Sequence, residues 1–213
     1  MAITLTRNEN RIRILRAAER LMAAHGMGGV SLREINRAAG QGNASAIQYH
    51  FGDREGLVIA VLERHQAISE PRRHALLDDY EADGRSELRM LARALVVPFV
   101  EHLADADGGR AYVQIASEFY SRARSPEDLG RHRDDRHSMA RWNRLVEARL
   151  PEHERRTLPP RRAAVRLVLG EVARRAQDPP EPDALFADDL VDLVTALLAA
   201  SSREVGQPKS SAR

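Results

Sequence analysis

Two places in this chain of 213 residues put histidine beside groups that could do chemistry. In the first, Tyr49 and His50 stand side by side, a phenol and an imidazole able in principle to exchange protons or hold a metal. No carboxylate or second histidine stands at ligand spacing from them, so the residue types read as hydrogen-bonding and packing groups. In the second, the run RHRDDRH at 131–137 contains His132-Arg133-Asp134, the form of a kinase catalytic-loop triplet, but no Gly-rich loop or Asp-Phe-Gly accompanies it. His132 and His137 are five residues apart and do not share a helix face as a metal pair would. The run reads as a solvated charged face. There is no P-loop, dinucleotide fingerprint or nucleophile elbow. Without cysteine there is no disulfide, thiolate zinc site or sulfur nucleophile. The chain is expected not to be an enzyme and to need no metal and no cofactor.

What remains is chemistry by charge and shape. The formal net charge is only +2, but residues 1–66 hold nine Arg against six Asp and Glu, a surplus of three, which leaves −1 for the remainder. A positive surplus gathered on one part is what counterion release from DNA requires. Within that part the stretch Val30–Leu57, VSLREINRAAGQGNASAIQYHFGDREGL, has the pattern of two short helices joined by a glycine-containing turn and followed by a capped third.

The elements around this stretch follow from periodicity. From about Arg11 to His25, Ile14, Leu15, Ala18, Leu21 and Met22 recur at helical spacing, with Arg13, Arg16, Glu19 and Arg20 opposite, and Gly26 stands where a left-handed residue ends a helix. Residues 1–8 are expected to be a loose arm. Ser31-Leu32-Arg33-Glu34 has the form of a capping box, and Leu32, Ile35 and Ala39 form the buried side of a helix of about two turns ending at Gly40. Asn43 is a favourable cap for a second short helix through Phe51, with Ser45 as the competing choice. Its small residues Ala44, Ser45 and Ala46 suit close approach to base edges or a plain turn, and Ile47 and Phe51 are the expected anchors. Asp53 caps a longer helix whose N-terminal amides and Arg54 suit a phosphate.

The runs ILRAAERLMAAHG, VSLREINRAAG and AIQYHFGDREGLVIAVLE together resemble the N-terminal domain of the tetracycline-repressor (TetR) family, in register from about Ile12 to Glu63. The resemblance implies a three-helix DNA-binding domain, a helical ligand-binding and dimerisation domain behind it, and binding of a homodimer to a pseudo-palindromic operator in double-stranded DNA. Position by position it places Ser31 and Arg33 on the DNA backbone from the second helix. Asn43, Ala44, Ser45, Ala46 and Gln48 fall on the recognition helix, Tyr49 and His50 at its phosphate-contacting end, and Arg54 at the next helix's phosphate-contacting start. Two features depart from the family: Gln48 replaces a common aromatic, and the turn from Gly40 to Asn43 is one residue longer. Gln48 can pair bidentately with adenine, so the first departure bears on base preference.

Beyond Leu62 the pattern stays helical. Pro71 is expected to kink or break it before Ala75–Tyr80. A helix carries Leu88, Leu91, Leu95, Phe99 and Leu103, another carries Tyr112, Ile115, Phe119 and Tyr120, and a third opens at Ser125-Pro126-Glu127 and runs through Met139, Trp142, Leu145, Val146 and Leu150. Residues 162–176 and 184–200 are the last two. They are apolar over more than one face, and pairing with a second copy in a four-helix bundle would bury Val165, Val168, Leu169, Val172, Phe186, Leu190, Leu193, Val194 and Leu197. Plain interior packing is the alternative.

With aromatics at only 4%, the cluster Phe99, Tyr112, Phe119 and Trp142, with His102, Leu103 and Ile115 beside it, is the expected pocket for a small-molecule effector of unknown identity; Glu118 and Asn143 supply polarity. Core packing competes for each of these residues. No period-two pattern occurs, so the fold class is all-α with about nine helices. The expected organisation is 1–66 as the helix-turn-helix domain, 67–200 as the ligand-binding and dimerisation domain, and 201–213 as a flexible tail. No apolar run approaches membrane-spanning length and no leader is apparent, so a cytoplasmic protein is expected. The expected function is a ligand-responsive transcriptional regulator, a repressor released by a small apolar or amphipathic effector. The competing readings are a helical protein-interaction module and a small enzyme built on His50 or the His132–His137 segment.

Overall fold

A computed structural model describes residues 7–41, 45–85, 87–122, 137–149, 160–178 and 184–201. Among them are nine α-helices and no strand: α1 Arg7–His25, α2 Leu32–Ala38, α3 Ala46–Phe51, α4 Arg54–Asp83, α5 Leu88–Glu101, α6 Gly109–Arg122, α7 Ser138–Glu147, α8 Pro160–Arg175 and α9 Ala184–Ser201. A short 3₁₀ turn, His102–Ala104, follows α5 directly. The expected helix opening at Ser125 and the segment from Leu150 to Pro159 lie outside the described residues, as does His132-Arg133-Asp134.

The N-terminal unit forms because α1, α2 and α3 each bury one stripe. Ile14, Leu15, Ala18 and Met22 of α1 meet Ile35 of α2, Ile47 of α3 and Leu57 and Val61 of α4 in one core. The loop after α1 turns through Gly26 at φ 77°, a left-handed conformation that a side chain would strain. Ser31 then starts α2 with the full capping box: Glu34 N–H donates to Ser31 Oγ at 3.2 Å, and Ser31 N–H donates to Glu34 Oε2 at 2.7 Å.

Helix α4 is 30 residues long, about 45 Å at the usual rise. It starts in the helix-turn-helix unit and ends in the C-terminal body, so residue 66 falls inside a continuous helix rather than at a linker. Pro71, expected to kink or break the chain, sits in mid-helix. It lies on the exposed side, so the carbonyl of Ala67 that it leaves without a helical donor is also on the solvent face, while Arg73, Leu76, Leu77 and Tyr80 on the other faces are buried. Tertiary packing outweighs the local cost.

Helix α5 is the axis of the C-terminal body. Its Leu91, Ala92, Ala94, Leu95 and Val96 are fully buried, and α4, α7, α8 and α9 pack around it. Trp142 of α7 is wholly buried and donates its indole N–H to Leu91 O at 2.8 Å. Pro98 inside α5 cannot donate to Ala94 O, and the Arg73 guanidinium supplies that bond from Nε at 3.2 Å.

The packing of α8 and α9 corrects the expected dimer face. Val165, Val168, Leu169 and Val172 of α8, and Leu190 and Val194 of α9, are buried within the single chain, where α8 packs on α5 and α6 and α9 packs on α5 and α8. Apolarity over more than one face is what interior helices need, so composition alone could not separate the two readings. Of the expected residues only Leu193 is exposed, while Phe186 and Leu197 are half-buried.

Replacing Pro71 by alanine restores one backbone hydrogen bond without touching the core. It is expected to raise stability by about 1–3 kcal/mol, read as a shifted urea midpoint at unchanged slope.

Candidate nucleic-acid interface

Helix α3 presents a narrow outward face. Ala46 and Ile47 turn into the core, Phe51 is half-buried beneath the Arg11 guanidinium at 5.3 Å, and Ser45, Gln48 and Tyr49 are exposed, Tyr49 at 65%. Ile47 and Phe51, four apart, hold the helix down, and Gln48 and Tyr49 on the opposite arc are carried outward. The sequence expectation therefore divides. Ser45, Gln48 and Tyr49 point where a groove could receive them, His50 is half-buried with its ring edge-on to Tyr49 at 5.1 Å, and Ala46 faces inward. Asn43 and Ala44 lie outside the described residues. Ser45 occupies the N-cap of α3 but makes no side-chain cap bond.

From α2, Arg33 and Arg37 are exposed and Ser31 is held at the surface by its capping box. The hydrogen bonds from Ser31 keep the Glu34 carboxyl below the usual carboxylate range, so it stays ionised at neutral pH.

Arg54 has a different position from the one expected. Its Nη1 donates to Met27 O at 2.7 Å and its Nη2 to Val30 O, both in the loop between α1 and α2. The guanidinium at the start of α4 thus closes the loop that precedes the helix-turn-helix. This satisfies two carbonyls that belong to no helix, a role that a local sequence pattern cannot reveal.

The unit is tied to the C-terminal body by buried charge. Glu19 of α1 is only 3% exposed. Arg64 Nη1 donates to both its oxygens at 2.7 and 2.9 Å, and His65 Nε2 lies 3.1 Å from Oε1. Arg64 also pairs with Asp107 in the loop before α6, and Asp107 accepts from Arg16 of α1 at 3.1 Å. Burial opposes the Arg64 charge, but Glu19 and Asp107 hold its pKa above the ordinary value. A second tie runs from Met27 N–H to Glu118 Oε2 of α6 at 2.7 Å. Sequence reading gave Glu118 to a pocket and did not single out Arg64, His65 or Asp107 at all. The partners lie 43 to 91 residues apart along the chain, beyond any periodic signal.

The expected effector residues are not gathered in one place. Phe99 and Tyr112 line a cavity of about 20 Å³ with Arg73, Glu70, Tyr120 and Met139. Phe119 lines a larger cleft of about 450 Å³ between the two parts, with Met27, Arg54, Val58 and Arg122. Ile115 and Trp142 are buried core residues, Leu103 is half-buried, and His102 joins a polar cluster with His65.

An exposed recognition face on a short helix, set by a capped helix and mounted on a larger helical body, defines a DNA-binding transcriptional regulator. Residues 14–61 match the family model described as bacterial regulatory proteins, tetR family. Its fold is similar to that of HlyIIR, a hemolysin II transcriptional regulator, at 17% identity and TM-score 0.54 over 93% of this chain and all of that one. An HlyIIR mutant with residues 170–185 of that protein substituted by alanine is similar at 16% identity and TM-score 0.52, over 95% of this chain and all of the other. PfmR, a TetR family transcriptional regulator from Thermus thermophilus, is 18% identical with TM-score 0.49, over 90% of this chain and all of that one. No curated protein is similar enough to match.

Arg54→Met is expected to lower stability by about 2–3 kcal/mol in chemical denaturation, because two loop carbonyls lose a charged donor. An arginine serving DNA phosphate alone would leave the midpoint unchanged. Glu19→Ala, which removes the carboxylate beside buried His65 and leaves Arg64 only its exposed partner Asp107, is expected to cost about 1–3 kcal/mol by the same measurement.

Proposed function

We propose that the protein is a homodimeric repressor that binds a pseudo-palindromic operator and is released by a small amphipathic effector. The observation that carries this reading is the outward arc of α3: Gln48 and Tyr49 exposed on a helix whose other side is pinned by Ile47 and Phe51. In this reading Gln48 and Ser45 contact base edges, while Ser31, Arg33 and Tyr49 position the domain on phosphates. Arg54 acts by holding the loop before α2. The protein acts by binding rather than by turnover.

Dimerisation is assigned to the outer faces of α8 and α9. On α9, Leu185 and Leu193 are 70% and 56% exposed, and Ala196 and Ala200 continue their stripe. On α8, Gly170 has open space above it and Leu167 is half-buried beside it. Two such helices from each copy would close a four-helix bundle and cover leucines that a monomer leaves in water. Its two recognition helices would then meet successive major grooves about 34 Å apart.

The effector site is assigned to the cavity beside Arg73. This arginine is 2% exposed, stacks over Phe99 at 5.2 Å, donates to Ala94 O and Ser138 Oγ, and has Nη2 buried with no partner. Burial holds its pKa below the ordinary value. A ligand with an apolar body and one acceptor, a carboxylate above all, would satisfy that nitrogen. The cavity of about 20 Å³ has room for one water, so such a ligand must open it. Converting a mostly competent dimer to a mostly incompetent one takes about 5.5 kcal/mol of differential binding.

Binding to random duplex DNA tests the phosphate assignment. Arg33→Ala is expected to weaken it and to reduce the slope of log K against log salt by about one, whereas Gln48→Ala leaves that slope unchanged. A Gln48→Ala slope reduced as much as that of Arg33→Ala counts against a base-reading role. In sedimentation at micromolar concentration the chain is expected to be a dimer and Leu193→Asp a folded monomer. A monomeric parent protein would overturn the assigned interface.

A further inference from the structure

Three side chains from different turns of the chain aim one atom each at a common point. His65 of α4, His102 of the 3₁₀ turn and Asp105 just after it present ligand atoms that all lie within 4.8 Å of one another. Asp105 Oδ2 is 3.6 Å from His65 Nδ1 and 3.9 Å from His102 Nδ1. Both imidazoles are essentially buried, and Asp105 is 23% exposed. Yet His65 Nδ1 and Asp105 Oδ2 are buried atoms without a hydrogen-bond partner. Two orphaned polar atoms facing each other across a gap too wide for a hydrogen bond signal a missing group between them.

The far side of each ligand is already held. Ser69 Oγ lies 2.7 Å from His102 Nε2 and 3.4 Å from His65 O; with the hydroxyl proton on His65 O it accepts His102 Nε2–H, the tautomer that leaves the lone pair of His102 on Nδ1. His65 Nε2 lies 3.1 Å from both Glu19 Oε1 and Arg64 Nη1, so its partners are all on that side and its Nδ1 has none. Asp105 Oδ1 accepts from Asp107 N–H at 2.9 Å, so only Oδ2 is unspent. The Tyr112 ring lies against both imidazoles, with centroids 4.9 and 4.5 Å away, and fixes their planes.

We propose that His65 Nδ1, His102 Nδ1 and Asp105 Oδ2 form a binding site for a divalent transition-metal ion of the zinc class. Two imidazoles and one carboxylate are a ligand set such ions take, and outer-shell partners on each ligand are the usual support. Ligands at about 2.0–2.1 Å around a tetrahedral ion lie about 3.3 Å apart, so the two gaps to Asp105, 3.6 and 3.9 Å, would close by about 0.3 and about 0.6 Å, and the two histidine nitrogens, within 4.8 Å of each other, would draw together as well. Three protein ligands leave a fourth position for water or an exogenous donor. An ion here would lock α4 to the turn after α5. Through the Glu19–His65 contact it would also brace α1, the first helix of the DNA-binding unit. The inference rests on these contacts alone and stands apart from the effector assignment.

The test uses the full chain, stripped with a chelator and titrated with Co(II) under visible spectroscopy and with Zn(II) by calorimetry. Expected are one ion per chain and the visible bands of low-coordinate Co(II). His102→Gln and Asp105→Asn should each lower affinity at least tenfold, and Ser69→Ala should lower it with the ligands intact. Circular dichroism establishes that each variant is folded; if His102→Gln is not, the Asp105→Asn comparison decides. Absence of stoichiometric binding, meaning that the gap holds only water, overturns the site. So does a folded Asp105→Asn variant with unchanged affinity and spectrum.

Discussion

Glu19 carries a carboxylate in a position almost closed to water, on the helix that opens the DNA-binding unit. An ionised group there is tolerable only if it is paired, and its partners, Arg64 and His65, sit on α4. Satisfying that charge fixes how α1 lies on α4. Arg64 is shared with Asp107, so the same constraint reaches the loop that leads into α6. The relative placement of the DNA-reading helices and the C-terminal body is therefore set by a few directional contacts, desolvated at Glu19 and His65 and open to water at Asp107, as well as by apolar contact.

Such a joint suits a switch. Apolar surfaces slide with small changes in energy, whereas a buried ion network has few arrangements that leave no charge exposed to a low dielectric. Helix α4 carries Arg54 at one end, Arg64 and His65 near its middle, and Ser69, Glu70 and Arg73 beyond them. Every group proposed to sense a ligand or an ion is on this helix or touches it. A displacement of α4 or of the turn after α5 would be felt at Glu19, and from there at the loop that Arg54 and Glu118 hold in front of α2.

Much of this was legible in the sequence because it is local. The capping box at Ser31 and Glu34, the glycine stop at Gly26, the anchors Ile47 and Phe51 and the all-helical periodicity each depend on residues a few positions apart. The non-local features were not. Arg54 spends its guanidinium on carbonyls 24 and 27 residues away, a choice that no spacing rule encodes. The valines of α8 read equally well as core or as interface, and only the path of α5 decides between them. Pro71 is a helix breaker by propensity, overruled because its ring falls on the solvent side. His65 stands alone in sequence, and its neighbours His102 and Asp105 come from a different element, so a metal pair sought at helical spacing could not find them.

The central claim is that α3 and its partner in a second copy read DNA as a symmetric pair. The most direct measurement is selection of bound duplexes from a random DNA pool by the full-length protein. The account predicts an inverted repeat whose half-site centres lie about one helical turn, or a multiple of it, apart. A pool that stays unenriched after repeated rounds, or that yields a single asymmetric site, would contradict it.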